Sequence, residues 1–370
     1  MALTRVGGRI RISEIEGHLG RLAVERGLLT LEQFLECLTL RNAEDPEAPL
    51  EIVLVSNGYL TDDQAEELTQ AAEDAAAAPP APPPARRPTA PRIPIGRGSS
   101  GSVYRTFLPD HEEPVAAKEI SANALNRPFI APFAENARRA ASLAHPGVAR
   151  VLGVEEQAGS LTIFSEFVRG TTLREYLQRQ GPLPLDQAAG VLRQIAGVLH
   201  VAHSKEIVHG NLKPENVFLC SGGRVRLTDF GLARAEPAWL RPHADKAGAI
   251  VYSLAPEQWS KGAIPASDLY QAGILWHFML TGRVPFEAQT FEEIRRKHEE
   301  DEPRPPSGIN PGVPWAADAI FLKLLEKEPG RRYPSARALQ EDLERLARGE
   351  PLEGVEKKTR RARIQKRFRG

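Results

Sequence analysis

His209-Gly210-Asn211-Leu212-Lys213-Pro214-Glu215-Asn216 is the stretch on which the reading of this chain turns. Asn211 at its centre is a neutral amide, which donates and accepts hydrogen bonds but cannot take up a proton as a carboxylate does. Asp229-Phe230-Gly231 follows on the C-terminal side. Towards the N-terminus stand Val115-Ala116-Ala117-Lys118 and the spaced glycines Gly96-x-Gly98-x-x-Gly101-x-Val103. Glycines so placed let a backbone approach phosphates closely between two strands. Alone, such a loop says little, because small-residue loops are common, and a lone strand lysine is usually just solvated. The order and spacing of the set carry the weight.

In that order, residues 93–347 resemble the bacterial serine/threonine protein kinase family. The opening stretch is similar to the catalytic loop H-R-D-L-x-x-x-N, with Asn211 where the catalytic Asp stands. The resemblance implies an α+β bilobal fold, with a small β-rich lobe and a large α-helical lobe. It also implies ATP and Mg2+ as cofactors. Gly96, Gly98 and Gly101 would cover the phosphates, and Lys118, on the third strand, would face them. Lys213 would contact phosphate, while Asn216 and Asp229 would hold the metal. Phe164-Ser165-Glu166-Phe167-Val168 resembles the hinge that bonds adenine, with Ser165 as a small gatekeeper. Val103 and Ala116 from above and Phe218 from below would sandwich the base, although such apolar residues read equally as ordinary core. Ala255-Pro256-Glu257 would close the activation segment, with Glu257 paired to Arg332. Ser267-Asp268-Leu269-Tyr270 would open the central buried helix.

The departures from that pattern fall on the transfer machinery. Asn211 removes the general base. Gly210 removes the guanidinium that grips a phosphorylated activation loop. The helix position that should offer Glu to Lys118 holds Asn136, and Glu135 beside it would point about 100° away. From Leu232 to Tyr252 there is no Ser or Thr, and Ala249 or Ile250 stands for the threonine that packs on the catalytic Asp. The expected function is a pseudokinase that binds ATP-Mg, transfers phosphate poorly or not at all, and acts as a regulatory scaffold. A weakly active serine/threonine kinase and an interaction module with a vestigial cleft are the alternatives.

Composition sets the surroundings. Lys plus Arg and Asp plus Glu number 48 each, so no global field favours nucleic acid or a membrane. Cys37 and Cys220 fit no metal spacing or disulfide framework. No apolar run reaches the ~20 residues of a membrane helix, and Met1 to Arg11 lacks the apolar core of a signal peptide. A cytoplasmic location is expected.

Residues 1–74 contain a repeat: Leu19/Leu50, Val24/Val55, Gly27/Gly58, Leu29/Leu60, Thr30/Thr61, Gln33/Gln64 and Glu36/Glu67 match. Each half reads as a helix, a glycine break, a threonine N-cap and a second helix, giving two helical hairpins in a small all-α domain. The pattern resembles the N-terminal domain of type II secretion ATPases, some of which bind cyclic di-GMP. His18, Pro49 and Glu51 replace the basic residues and glycine of that pattern, and a carboxylate beside a phosphate is unfavourable. The domain is therefore expected to dock an unidentified protein partner or simply to pack. Residues 75–92, rich in Ala and Pro, read as a polyproline spacer, or alternatively an SH3-type ligand. Residues 349–370 read as a basic tail, either a solvated helix end or a contact for nucleic acid or acidic lipid.

Overall fold

A computed structural model describes residues 14–44, 48–77, 91–98, 101–121, 130–157, 160–230 and 252–355. The chain packs as two compact units, Met1–Pro80 and Ala81–Gly370.

The first unit holds four helices, α1 (Glu14–Glu25), α2 (Leu31–Glu44), α3 (Leu50–Ser56) and α4 (Asp62–Ala77). The repeat is visible in its turns. Gly27 and Gly58 sit at φ 70° and 74°, where a side chain would be strained. After each, the next N–H reaches five residues back: Leu28 to the Ala23 carbonyl at 2.9 Å and Tyr59 to that of Leu54 at 3.0 Å. This is the Schellman closure of a helix end. Thr30 and Thr61 then cap α2 and α4 reciprocally with Gln33 and Gln64. Leu19, Ala23, Phe34, Leu38, Leu54 and Leu68 fill the core between them. Gly20 is a packing glycine: a Cβ there would run into the Phe34 ring. Helix α4 continues to Ala77, beyond the expected start of the spacer at Ala75, because alanine is the best helix former.

The second unit opens with a five-stranded antiparallel sheet, β1 (Ile93–Gly98), β2 (Gly101–Thr106), β3 (Val115–Ser121), β4 (Val151–Gln157) and β5 (Ser160–Glu166), ordered β1-β2-β3-β5-β4. Helix α5 (Ile130–Ala140) packs on β4 and β5. A helical lobe follows, with α6 (Leu173–Gln180) and α7 (Leu185–Ser204). A small sheet, β6 (Thr171–Thr172), β7 (Val217–Leu219) and β8 (Val225–Leu227), lies beside them. Helix α8 (Pro265–Thr281) is buried from Ser267 to Thr281. Helices α9 (Phe291–Glu299), α10 (Trp315–Leu324) and α11 (Ala336–Arg348) complete the lobe, α10 packing on α8 and α11 on α7. Pro265 supplies the fixed φ that suits a helix start, and Gly282 ends the helix in a left-handed turn. This is the expected bilobal α+β architecture behind a helical N-terminal region.

The lobe does not end at Arg348. Val355 is buried in the main core. Asp342 accepts from the N–H groups of Glu353 and Gly354 at 2.8 and 2.9 Å, so residues 349–355 belong to the folded unit and not to the tail. Among the described residues no helix is long and apolar enough to cross a membrane.

Candidate functional site

Register decides what faces the cleft. In an antiparallel sheet, residues directly opposite each other share a face, and alternate residues along a strand do too. Val103 pairs with Lys118, Ala116 with Ser165, and Lys118 with Ile163. Val103, Ala116, Lys118 and Ser165 therefore line one face. Val115, Ala117 and Phe164 lie on the other, buried with Leu108 in a separate cluster. Gly98 and Gly101 pair across the β1–β2 hairpin. Gly101 has a steric reason to be glycine, since a Cβ there would strike the Glu119 carbonyl on β3. Gly96 faces open space.

The hinge residues end β5. Glu166 donates its N–H to the Arg150 carbonyl at 3.0 Å. Its side chain turns to other work: it pairs with Arg226 on β8 and lies 3.5 Å from Arg150. Arg226 also donates to the Val148 carbonyl at 2.7 Å. These contacts brace the hinge against the helical lobe, a role that the motif reading did not give Glu166. Val168 is buried, and Phe218 is half-buried on the face of β7 opposite Val217 and Leu219.

The loop carrying Asn211 hangs from α8. Asp268 accepts from the N–H groups of His209 and Gly210 at 2.9 and 2.7 Å and also meets His203 Nε2 at 2.8 Å. Gln271 accepts from the Leu212 N–H at 2.8 Å. Gln258 and Gln271 both donate to the Gly210 carbonyl, at 2.9 and 3.2 Å. Gly210 has φ 64°, a conformation that costs glycine nothing. His209 is fully buried against Phe230, 4.5 Å between ring centres, and burial holds its pKa below the ordinary value, so it is neutral. Asn216 donates its Nδ2 to the Asn211 carbonyl at 2.9 Å. Asn211 itself is 2% exposed, and its Nδ2 has no acceptor among the described residues.

Across the cleft, Lys118 Nζ stands 2.6 Å from Asp229 Oδ2. Asp229 holds a left-handed φ of 64°, strained for a residue with a side chain and typical of functional positions. Burial pushes its carboxyl up. The Lys118 ammonium, with Lys213 behind it, outweighs that and keeps it below the usual carboxylate range. Helix α5 gives Lys118 no visible carboxylate: Glu135 is 65% exposed and lies 3.8 Å from Arg138, and Asn136 is half-buried beside it. Glu257 and Arg332 form the expected pair at 2.7 and 2.8 Å, with Arg332 fully buried. Gly231, Ala249 and Ile250, and the Ser/Thr-free stretch as far as Val251, lie outside the described residues.

A glycine hairpin over a strand lysine, a loop suspended from a buried central helix, and an Asp at left-handed φ facing that lysine together define a protein-kinase fold and cleft. The protein kinase domain family model matches residues 92–343. Serine/threonine-protein kinase PrkC of Bacillus subtilis (strain 168) is 34% identical over 253 residues, 67% of this chain and 39% of that protein. Serine/threonine-protein kinase PknB of Mycobacterium leprae (strain TN) is 34% identical over 247 residues, 65% of this chain and 40% of that protein. The chain belongs to the protein kinase domain family and spans about two fifths of the length of these curated relatives.

The family's metal fits the residues present. Asn216 keeps its side-chain oxygen, and Asp229 keeps the carboxylate oxygen that Lys118 does not hold. Two such hard oxygens, completed by phosphate and water, suit Mg2+. That ion would neutralise charge on a transferring phosphoryl group.

Proposed function

We propose that this chain is a pseudokinase: it holds a nucleoside triphosphate in the cleft and transfers its terminal phosphate poorly or not at all. One observation carries the reading. Asn211 is buried at the base position, inside a loop whose backbone anchors are complete. The frame that presents a base is present, and the group it presents cannot accept a proton.

Lys118, Lys213, Asn216 and Asp229 would hold the phosphates and the metal. Val103, Ala116, Ser165, Val168, Phe218 and the Glu166 carbonyl would enclose the base. The N-terminal unit would dock a protein partner, making the whole a regulatory scaffold. The Lys118–Asp229 pair speaks against a merely vestigial cleft, since two charged groups are kept 12% and 18% exposed in register for a ligand.

A second reading, a weak serine/threonine kinase, draws on that same pair. General-base assistance contributes only ~10²–10⁴-fold, and positioning carries most phosphoryl transfer. The nucleotide reading is tested by thermal melting of the full chain with ATP and Mg2+. At about 100 times the dissociation constant, ATP should stabilise the fold by ~2.7 kcal/mol. Lys118→Ala should reduce that gain at equal ATP. No shift for the wild type at several-fold higher ATP than cells contain would contradict it.

A further inference from the structure

Two ion pairs join the five-stranded sheet to β8 and the residues after it. One is Lys118 with Asp229. The other is Glu166, the last residue of β5, whose carboxylate accepts from Arg226 Nη2 on β8. That same nitrogen donates to the Val148 carbonyl at 2.7 Å, ahead of β4. Glu166 is also fixed by Arg150: its N–H donates to the Arg150 carbonyl at 3.0 Å, and its carboxylate accepts from the Arg150 N–H at 3.3 Å. Leu227 bonds the backbone of Gly147 and Ala149 at 2.7 and 2.8 Å, which ties β8 to the segment before β4. Arg226 carries that tie through to the hinge.

The two pairs are spaced alike on both sides. Arg226 stands three residues before Asp229. Glu166 lies three residues beyond Ile163, the partner of Lys118, or about 10 Å along β5. Arg226 is also directly opposite Phe218 on β7, so the two share a face. Just past β8 the Thr228 N–H donates to the Asn216 carbonyl at 3.0 Å, which joins the segments carrying Asn216 and Asp229. Glu166 and Phe218 belong to the base end of the proposed site, and Asn216 and Asp229 to its phosphate end. Phosphate or metal would draw on Lys118 and Asp229. The Glu166–Arg226 pair uses side chains to which the site assigns no ligand, so it is the crossing that persists when the cleft is filled. At 33% and 25% exposed, such a pair adds little to folding stability, and its consequence lies in geometry.

We propose that Arg226 is a positioning residue for the nucleotide: through Glu166 it fixes the separation between the base end and the phosphate end of the cleft. This rests on the nucleotide reading proposed above. A ligand gripped at both ends gains from both only while their spacing matches it, and the gain is lost when the spacing drifts. A ligand gripped at one end is indifferent to that spacing.

The test compares ATP with adenosine, which occupies the base end alone. Dissociation constants are measured by calorimetry on the full chain in excess magnesium chloride, at a temperature where circular dichroism shows each variant folded. Arg226→Met should weaken ATP by ~10-fold and adenosine by less than about threefold. Arg226→Lys, which keeps a cation, should hold ATP within about threefold of the wild type. Glu166→Ala should repeat the split between the two ligands, and carries the comparison should Arg226→Met fail to fold. The double variant should lose no more than the larger single loss, because both changes remove one contact. ATP binding by the variants within about threefold of the wild type would overturn the inference alone. So would an equal loss for adenosine, which would make Arg226 a support for the hinge and not a spacer. A wild-type chain that binds no ATP would overturn the nucleotide reading and this inference with it.

Discussion

Lys118 reaches across the cleft to Asp229, with 2.6 Å between Nζ and Oδ2. In the described structure this contact couples the third strand of the small lobe to the segment after β8. It holds in place a residue at φ 64°, so ion pairing and backbone strain are balanced at one position.

Lys118→Met keeps the side-chain stem and removes the charge. It leaves the Asp229 carboxylate, 18% exposed, without its nearest cation. The expected loss is ~1–3 kcal/mol in denaturant melts near neutral pH. The sign with pH follows from the depressed carboxyl. The pair's stabilisation is present above the ordinary value of 3.8 and is lost as pH falls through the lower folded value. The difference between wild type and variant should therefore shrink in acid. A difference that grows in acid would contradict the assignment.

Glu257 and Arg332 tie the end of the activation segment to the loop before α11. Arg332 is fully buried and donates further to the Ala266, Glu326 and Lys327 carbonyls. Removing one partner of a buried pair strands the other, so Glu257→Ala should cost ~3–5 kcal/mol by urea unfolding. A loss below ~1 kcal/mol would show that Arg332 is held by the carbonyls alone.

His298 gives the large lobe an acid limit. It is buried against Tyr270, with 2.9 Å between the Tyr270 hydroxyl and Nδ1, and burial lowers its pKa from 6.5 to about 3, with Lys327 adding to the effect. Below pH 6.5 the unfolded chain gains a proton that the folded chain refuses. Stability is therefore greatest above that pH and falls steadily below it, by about 2 kcal/mol at pH ~5 from this residue. His298→Gln should flatten that part of the stability profile. An unchanged slope between neutral pH and pH ~5 would assign the acid sensitivity elsewhere.

In the N-terminal unit, Gly20→Ala must push the Phe34 ring out of its place. Overpacking of this kind typically costs ~1–3 kcal/mol. Native-state amide exchange on the full chain should speed up in residues 14–77, with exchange in α7 and α8 unchanged. Equal acceleration in both units would mean that they unfold together.

Much of this was legible because it is local or repeats. The Thr30 and Thr61 caps follow from spacing within a few residues, whereas the glycine hairpin, Lys118 on a strand and Asp229 were legible through the family pattern that their order in the chain carries. The pairing of Glu257 with Arg332 was legible through the same pattern. What escaped reading were partners distant in sequence. Gln258 and Gln271 converge on the Gly210 carbonyl, Asp268 holds the His209 and Gly210 amides, and Arg226 takes the Glu166 side chain. Neutral amides carry no motif signal, and a hinge glutamate looks the same whether it faces a ligand or a distant arginine. Gly20 lies outside the matched repeat pairs, and its reason is a partner on the next helix, the Phe34 ring.

The most direct test of lost transfer with a retained cleft is single-turnover phosphate transfer from ATP to a generic serine/threonine peptide, with ATP affinity measured on the same samples. The wild type should bind ATP and show no transfer above an Asp229→Ala control. Asn211→Asp should raise the rate, by less than the ~10²–10⁴-fold of a fully restored base, because Gly210 and Asn136 remain. Brisk wild-type transfer that Asp229→Ala abolishes would contradict the pseudokinase reading.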